Sequence, residues 1–143
     1  MRIISITIMC LFVATAGFSQ SAIVAVNISQ KTQATVEDAV KLFMFSTVGS
    51  ITVYEKDAPM LIDKGILPRL YDPNTPVTMG IVAYMMAKQA NIKHSLMFNI
   101  FGGQRYAVFA CIAAGYLPKN AGEQYKLSGV ELIEIMGRFG GDE

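Results

Sequence analysis

The chain has few of the residues on which catalytic and metal sites depend. Its 143 residues include one histidine, two cysteines and no tryptophan. A structural zinc site takes four Cys or His ligands, and the whole sequence offers only three such residues. No Gly-x-Ser-x-Gly, paired Cys–His or Walker-type motif is present. We therefore expect a protein that is not an enzyme and that uses no cofactor or metal ion.

Clusters of like charge are absent too. Twelve Lys and Arg residues stand against eleven Asp and Glu residues, and no run of one sign occurs. Nucleic acids and anionic lipid surfaces both select clustered Lys and Arg. On this evidence we expect no nucleic-acid partner, and anionic lipid is a poor candidate as well.

An apolar run begins the chain. Met1-Arg2 is a short positive start, Ile3 to Val13 is apolar, and Ala14-Thr15-Ala16 matches a small-x-small cleavage pattern. The run is shorter than the ~20 apolar residues that a membrane span requires. We predict a signal peptide over residues 1–22, cleaved near residue 16 or residues 21–22. The mature protein is then exported to the periplasm or outer cell envelope, with no membrane span.

The mature chain is expected to fold without a disulfide. Cleavage removes Cys10 and leaves Cys111, which lies in the apolar stretch YAVFACIAAG and is predicted to be a buried small hydrophobe. About 120 residues remain, enough for one domain with its own core.

A repeated pattern occurs at an offset of fifty residues. LIDKGILPRLYDPNTPVTMGIVAYMMAK aligns without a gap on CIAAGYLPKNAGEQYKLSGVELIEIMGR. Gly65 and Gly115 are each predicted to end a helix in the left-handed conformation. Thr78 and Ser128 are each predicted to cap the next helix, and Ser128-x-x-Glu131 is a capping-box pattern. We interpret residues of about 44–93 and 97–140 as two copies of one unit.

The fold class predicted from this pattern is all-α, a duplicated helix–loop–helix unit with a short β segment near residues 51–55. Residues 23–34 are predicted to be an extended N-terminal segment, and residues 35–143 the helical domain. Asp57 is predicted to cap a helix that has Pro59 in its first turn. The predicted helices are Thr35 (cap) to Thr47, Asp57 (cap) to Gly65, Thr78 to Ala90, His94 to Phe101, Gln104 to Ala114, and Ser128 to Arg138.

The stretch MGIVAYMMA, Met79 to Ala87, is apolar nearly all round. A helix without a polar face is either central in its domain or covered by another chain. Full burial is hard to arrange in a small domain, so we expect self-association or a protein partner in the envelope. The candidate interaction surface consists of Met79, Ile81, Val82, Tyr84, Met85 and Met86.

The order helix, DKGILP, loop, DPNTPVT, helix resembles the repeats of S-layer homology domains. The resemblance spans Ala58 to Lys88 and, more faintly, Ala107 to Arg138. In that family the repeats commonly occur in threes, bind cell-wall polymers and anchor proteins to the envelope. The second helix of each repeat opens on a Thr-Arg-Ala-Glu signature, whose Arg contacts the carbohydrate. The resemblance implies a helical fold and binding of a wall polymer.

Both copies depart from that signature at the cation. Met79 replaces the Arg in the first copy, and Gly129 replaces it in the second. Thr35 to Ser50 is a candidate remnant of a further copy. The positions that we select for a wall polymer or for a functional loop are Arg69, Tyr71, Asp72, Asn74, Thr78, Ser128 and Glu131.

Two functions remain open at this stage. The first is an exported, non-enzymatic structural or interaction protein that acts through protein–protein contacts or by binding a cell-wall polymer. The alternative is a small apolar-ligand binder with a pocket between the two repeats, because Met and aromatic side chains adapt well to apolar ligands. The side chains proposed to line that pocket are Phe98, Phe101, Tyr106 and Phe109.

Overall fold

The structure is a computed structural model that describes residues 22–50 and 53–141. Within them the chain forms seven helices and no strand, only two isolated bridges. The prediction of an all-α protein is therefore confirmed. The helices are α1 (residues 22–29), α2 (Val36–Val48), α3 (Tyr54–Asp63), α4 (Met79–Gln89), α5 (Leu96–Phe101), α6 (Gln104–Ala113) and α7 (Gly129–Gly140).

Three chain segments meet in a closed ring of backbone hydrogen bonds, which we call the hub. Its members are Ala34, Val77 and Leu127, and all three are fully buried. The Ala34 N–H donates to the Leu127 carbonyl at 2.8 Å, and the Leu127 N–H donates to the Val77 carbonyl at 3.1 Å. The Val77 N–H completes the ring by donating to the Ala34 carbonyl at 2.9 Å. Each hub residue directly precedes an N-cap, so α2, α4 and α7 all begin around one point.

Backbone carbonyls from a neighbouring segment satisfy the first N–H groups of these three helices. The N–H groups of Val36 and Glu37 donate to the Thr75 and Pro73 carbonyls, at 2.8 and 3.1 Å. At α4, Met79 and Gly80 donate in the same way to the carbonyls of Tyr125 and Glu123, at 2.8 and 2.9 Å. At α7, the Gly129 N–H donates to the Lys31 carbonyl at 3.0 Å. The otherwise unpaired donors of a helix N-terminus are thus used within the fold.

The two segments that align at an offset of fifty residues end their first helix in the same way. Gly65 has φ +69° and Gly115 has φ +86°, the left-handed conformation predicted for both. After Gly65, the N–H groups of residues 66 and 67 both donate to the Leu61 carbonyl. After Gly115, those of residues 116 and 117 both donate to the Cys111 carbonyl. Leu67 and Leu117 are then buried in the core.

Some local predictions are wrong. Residues 23–34 were expected to be extended, but residues 22–29 form α1 and bury Ile28 in the core. Helix α3 is capped by Val53 and begins at Tyr54, so Asp57 is a buried first-turn residue. The predicted β segment is therefore helical at residues 54–55, while its residues 51–52 lie outside the described part, as do residues 1–21 of the predicted signal peptide.

The choice of α4 as an interaction surface is also wrong. Its side chains pack inside this chain, chiefly against α6. Tyr84 is half-buried, and the other five residues of the predicted surface are at most 5% exposed. The start of α4 is fixed at the hub, where α2 and α7 also begin. The buried members are Met79, Ile81, Val82, Met85 and Met86.

Packing within the chain also accounts for the residues at positions 79 and 129, which directly follow the N-caps of α4 and α7. Met79 is buried. A Cβ atom at Gly129 would lie 1.6 Å from the Ile28 carbonyl oxygen and 2.6 Å from its carbonyl carbon. Because α1 covers this position, any side chain there must displace the backbone.

We expect Gly129→Ala to lower the free energy of unfolding by about 3 kcal/mol, at the upper end of the cost of overpacking. The physical reason is the collision of the new methyl group with the backbone of Ile28. Urea unfolding followed by circular dichroism measures the change.

Gly137→Ala, in the same helix, is the matched control. A Cβ atom at Gly137 meets nothing within 4 Å. Since glycine weakens a helix interior, this variant should gain about 0.5–1 kcal/mol. If Gly129→Ala were as stable as the control, the close approach of α1 to α7 would be contradicted.

Candidate functional site

A groove of about 470 Å³ lies beside the loop that follows α3. We call it the Tyr71 groove. It includes two of the positions selected from the sequence, Tyr71 and Asp72. The complete lining is Tyr54, Glu55, Pro59, Leu70, Tyr71, Asp72 and Pro73.

Two hydrogen bonds and one cation over the ring hold Tyr71 in place. The buried Tyr54 donates its hydroxyl to the Tyr71 carbonyl at 2.7 Å, and the Gln104 amide donates to the Tyr71 hydroxyl at 2.9 Å. The Arg69 guanidinium lies over the Tyr71 ring, 4.9 Å from its centroid. Directly after Tyr71, the loop is held by the Asn74 N–H, which donates to the Asp72 carboxylate at 2.8 Å. The ring is therefore pre-positioned at the groove before any ligand binds.

Burial decides the protonation of Tyr54. Its removal from water raises the pKa of the phenol above its ordinary value, and the negative charge of Asp72 acts in the same direction. The bond to the Tyr71 carbonyl lowers the pKa less than burial raises it. Tyr54 is thus a neutral hydrogen-bond donor at physiological pH, and it stabilises the loop.

The groove combines an apolar floor with charges at its edges. Leu70, Pro59 and Pro73 supply apolar surface, and the Tyr71 ring is half-buried. The carboxylates of Glu55 and Asp72 are both exposed. An aromatic face beside hydrogen-bonding groups suits a ligand that is partly apolar and rich in hydroxyl groups.

Ser128 and Glu131 lie apart from this groove and have a structural role. The Ser128 N–H and hydroxyl donate to the Glu131 carboxylate at 2.9 and 2.8 Å, and the Glu131 N–H donates back to the Ser128 hydroxyl at 3.3 Å. Tyr125 donates its hydroxyl to the second carboxylate oxygen at 2.7 Å. The predicted capping box is confirmed. These bonds, from Ser128 first and then from Tyr125, lower the pKa of Glu131.

A second capping box was missed in the sequence. Thr35 donates its N–H and its hydroxyl to the Asp38 carboxylate, both at 2.9 Å, and Lys31 binds that carboxylate at 2.8 Å. The Thr35-x-x-Asp38 spacing was the available signal. Thr78 is the N-cap residue of α4, as predicted, but its side chain makes no capping hydrogen bond.

The aromatic residues proposed to line an apolar pocket are only partly brought together. Tyr106 and Phe109 line a groove of about 420 Å³ between α5 and α6. Phe98 is buried against Tyr84, and Phe101 stacks on Tyr106 with ring centroids 5.3 Å apart. A separate, mostly apolar groove of about 440 Å³ lies between α1, α2 and α7.

Comparison with protein-family models, with curated proteins and with solved structures found no match for this chain. In the part of the chain that the structure describes, no helix has the length and apolar character to cross a membrane. Among the same residues, no group of three His, Cys, Asp or Glu side chains is placed to hold a metal ion. The Tyr71 groove is therefore the candidate site, on its geometry alone.

The lowered pKa of Glu131 predicts a specific dependence of stability on pH. A carboxyl whose folded pKa is depressed stabilises the fold above its unfolded pKa, and that contribution is lost as the pH falls through the folded pKa. We expect Glu131→Gln to cost roughly 0.5–1 kcal/mol at neutral pH, the range for losing a charged helix cap. The difference from the unsubstituted protein should shrink in acid, as measured by urea unfolding at a series of pH values.

Glu134→Gln is the control for this series. Glu134 lies on the exposed face of the same helix, where it pairs with Arg138. The loss of such a surface pair costs about 0.3–0.5 kcal/mol. A Glu131→Gln difference that stayed constant down to strongly acid pH would contradict the capping role.

Proposed function

We propose that this protein is an exported, non-enzymatic binding module of the bacterial envelope, and that it holds a cell-wall polymer in the Tyr71 groove. The observation that carries the proposal is the pre-positioned Tyr71 ring, fixed by Tyr54 and Gln104 beside an open groove. Export is proposed from the apolar start of the chain, residues 1–22.

The chemistry of the groove favours one kind of polymer. A sugar ring has apolar C–H faces, which pack on an aromatic ring, and hydroxyl groups, which need donors and acceptors. Tyr71 offers the face, and Glu55, Asp72 and Arg69 offer hydrogen-bonding groups. Two carboxylates against one guanidinium disfavour a phosphate-rich polymer. The expected ligand is therefore an uncharged or amine-bearing glycan segment of the wall.

The arrangement of the helices supports the resemblance to S-layer homology repeats as part of this proposal. The two aligned segments end a helix in the same way, at Gly65 and Gly115. Helix α2 begins at the hub together with α4 and α7. In this proposal α2 stands for a third copy, whose remnant is Thr35 to Ser50. The binding site differs from that family's, since the signature cation is replaced by Met79 and Gly129.

A small apolar ligand is the second candidate, favoured by the groove between α5 and α6 that Tyr106 and Phe109 line. Mass spectrometry of an organic extract of the purified protein tests it. A lipid or pigment present in stoichiometric amount supports this function over wall binding.

We expect the mature protein to co-sediment with purified cell-wall sacculi, and Tyr71→Ala to weaken this binding about tenfold. The physical reason is loss of the central aromatic anchor, since truncating such a residue costs ~1–2 kcal/mol. Binding isotherms from sedimentation at several sacculus concentrations measure the change.

Tyr125→Ala is the matched control, because Tyr125 is an exposed tyrosine outside the groove. Circular dichroism on both variants checks that they fold. Equal binding by the two variants would show that the groove is not the site. Failure of the unsubstituted protein to sediment with sacculi would contradict the proposed function.

A further inference from the structure

An exposed apolar patch surrounds α5. Of the six residues of this helix only Phe98 is buried. Four others expose more than half of an apolar side chain, and Phe109 of α6 adds a fifth. The patch consists of Leu96 (74% exposed), Met97 (53%), Ile100 (68%), Phe101 (61%) and Phe109 (53%).

The patch lies in a stretch of the chain that has no acidic residue. No Asp or Glu occurs between Asp72 and Glu123, whereas Lys88, Lys93, Arg105 and Lys119 do. Helix α5 packs on α6 and, through Phe98, on Tyr84 of α4. All three helices fall inside this acid-free stretch.

Two of these cations lie against aromatic rings of α5 and the patch. The Lys88 ammonium lies 5.2 Å from the Phe98 ring centroid, and the Arg105 guanidinium lies 5.9 Å from that of Phe109. The backbone of Lys93 is fixed beside α5, because the Asn99 side chain donates to its carbonyl at 2.9 Å. Glu123, the acid that ends this stretch, follows α6 in the chain, and its side chain lies beside Gly80 and Gln104 at the starts of α4 and α6. The fold thus gathers positive charge that the linear sequence disperses.

The patch offers almost no directional hydrogen bonding. Asn99 is the one polar residue of α5, and its amide is engaged with Lys93. A specific protein interface carries direct hydrogen bonds along with its apolar contacts. Binding to a lipid surface requires only apolar side chains that reach below the headgroups and cations that stay at the level of the headgroups.

We propose that this face docks on an anionic lipid surface, with α5 lying in the headgroup region. Charge complementarity selects this occupant: a second copy of the chain would bring Lys88 and Arg105 against their like, with no acid in the patch to offset them. These cations are far apart in the sequence, so they form no run of charge there and come together only in the fold. The proposal does not depend on glycan binding, since the Tyr71 groove is lined by other residues.

The lack of tryptophan in the chain allows a direct test. Ile100→Trp places one fluorophore in the patch, at a position exposed enough to accept it without repacking. On titration with vesicles of phosphatidylcholine containing about 30% phosphatidylglycerol, a blue shift and protection from acrylamide are expected. Phosphatidylcholine vesicles should give neither, and about 0.5 M salt should reverse the shift.

Leu70→Trp is the matched control, because Leu70 is similarly exposed but lies at the Tyr71 groove. Its emission should not change. In the Ile100→Trp background, Arg105→Gln should weaken vesicle binding about fivefold, as expected for one cation near an anionic surface. The proposal is overturned by equal binding to both vesicle types, by no binding, or by an equal shift at Leu70→Trp. It is also overturned if light scattering shows Ile100→Asp breaking a dimer of the free protein.

Discussion

Three buried backbone hydrogen bonds, at Ala34, Val77 and Leu127, are the constraint on which the rest of the fold depends. Each residue of this hub donates to one neighbour and accepts from the other. Displacing one segment therefore leaves an N–H and a carbonyl unpaired, and each buried unpaired group costs about 1–3 kcal/mol. Any two of these segments need the third to pair all of their buried N–H and carbonyl groups. The starts of α2, α4 and α7 are consequently fixed together.

The hub also explains the proline-rich loop between α3 and α4. Its inner side supplies the Pro73 and Thr75 carbonyls to the first turn of α2. These carbonyls can accept the N–H groups of α2 only if the loop keeps one conformation. Proline favours this, because it restricts the backbone to few conformations. The outer side of the same loop presents Tyr71 and Asp72 to the groove. The rigidity that caps a helix on one side thus positions the candidate binding residues on the other.

Local signals in the sequence predicted the parts of the fold that local chemistry controls. Gly65, Gly115 and the Ser128–Glu131 box act through backbone conformation and bonds within a few residues, and all were correct. Burial of α4 was not predictable, since an all-apolar helix fits either a core or an interface until the neighbouring helices are placed. Gly129 looked like a lost binding residue, and only the approach of α1 shows that no side chain fits. In the candidate site, Tyr71 and Asp72 are the two positions selected from the loop that line the groove. Tyr54 and Gln104 were missed because they reach Tyr71 across 17 and 33 residues of sequence.

Helix α5 does not contribute to the hub, so the packing that constrains the sequence of α4 does not constrain the sequence of α5. That freedom would ordinarily favour a polar surface, because exposed Leu, Ile and Phe gain nothing in water and raise the risk of aggregation. The exposed apolar side chains of α5 lie beside Lys88 and Arg105, in a stretch without acid. An anionic interface favours this composition, and a solvent-facing helix does not. At the start of α6, consecutive residues serve the two faces: Gln104 binds Tyr71, and Arg105 covers Phe109. A single helix N-terminus therefore links the proposed polymer groove to the proposed lipid face, an arrangement that would let one small domain contact both a wall polymer and a membrane surface.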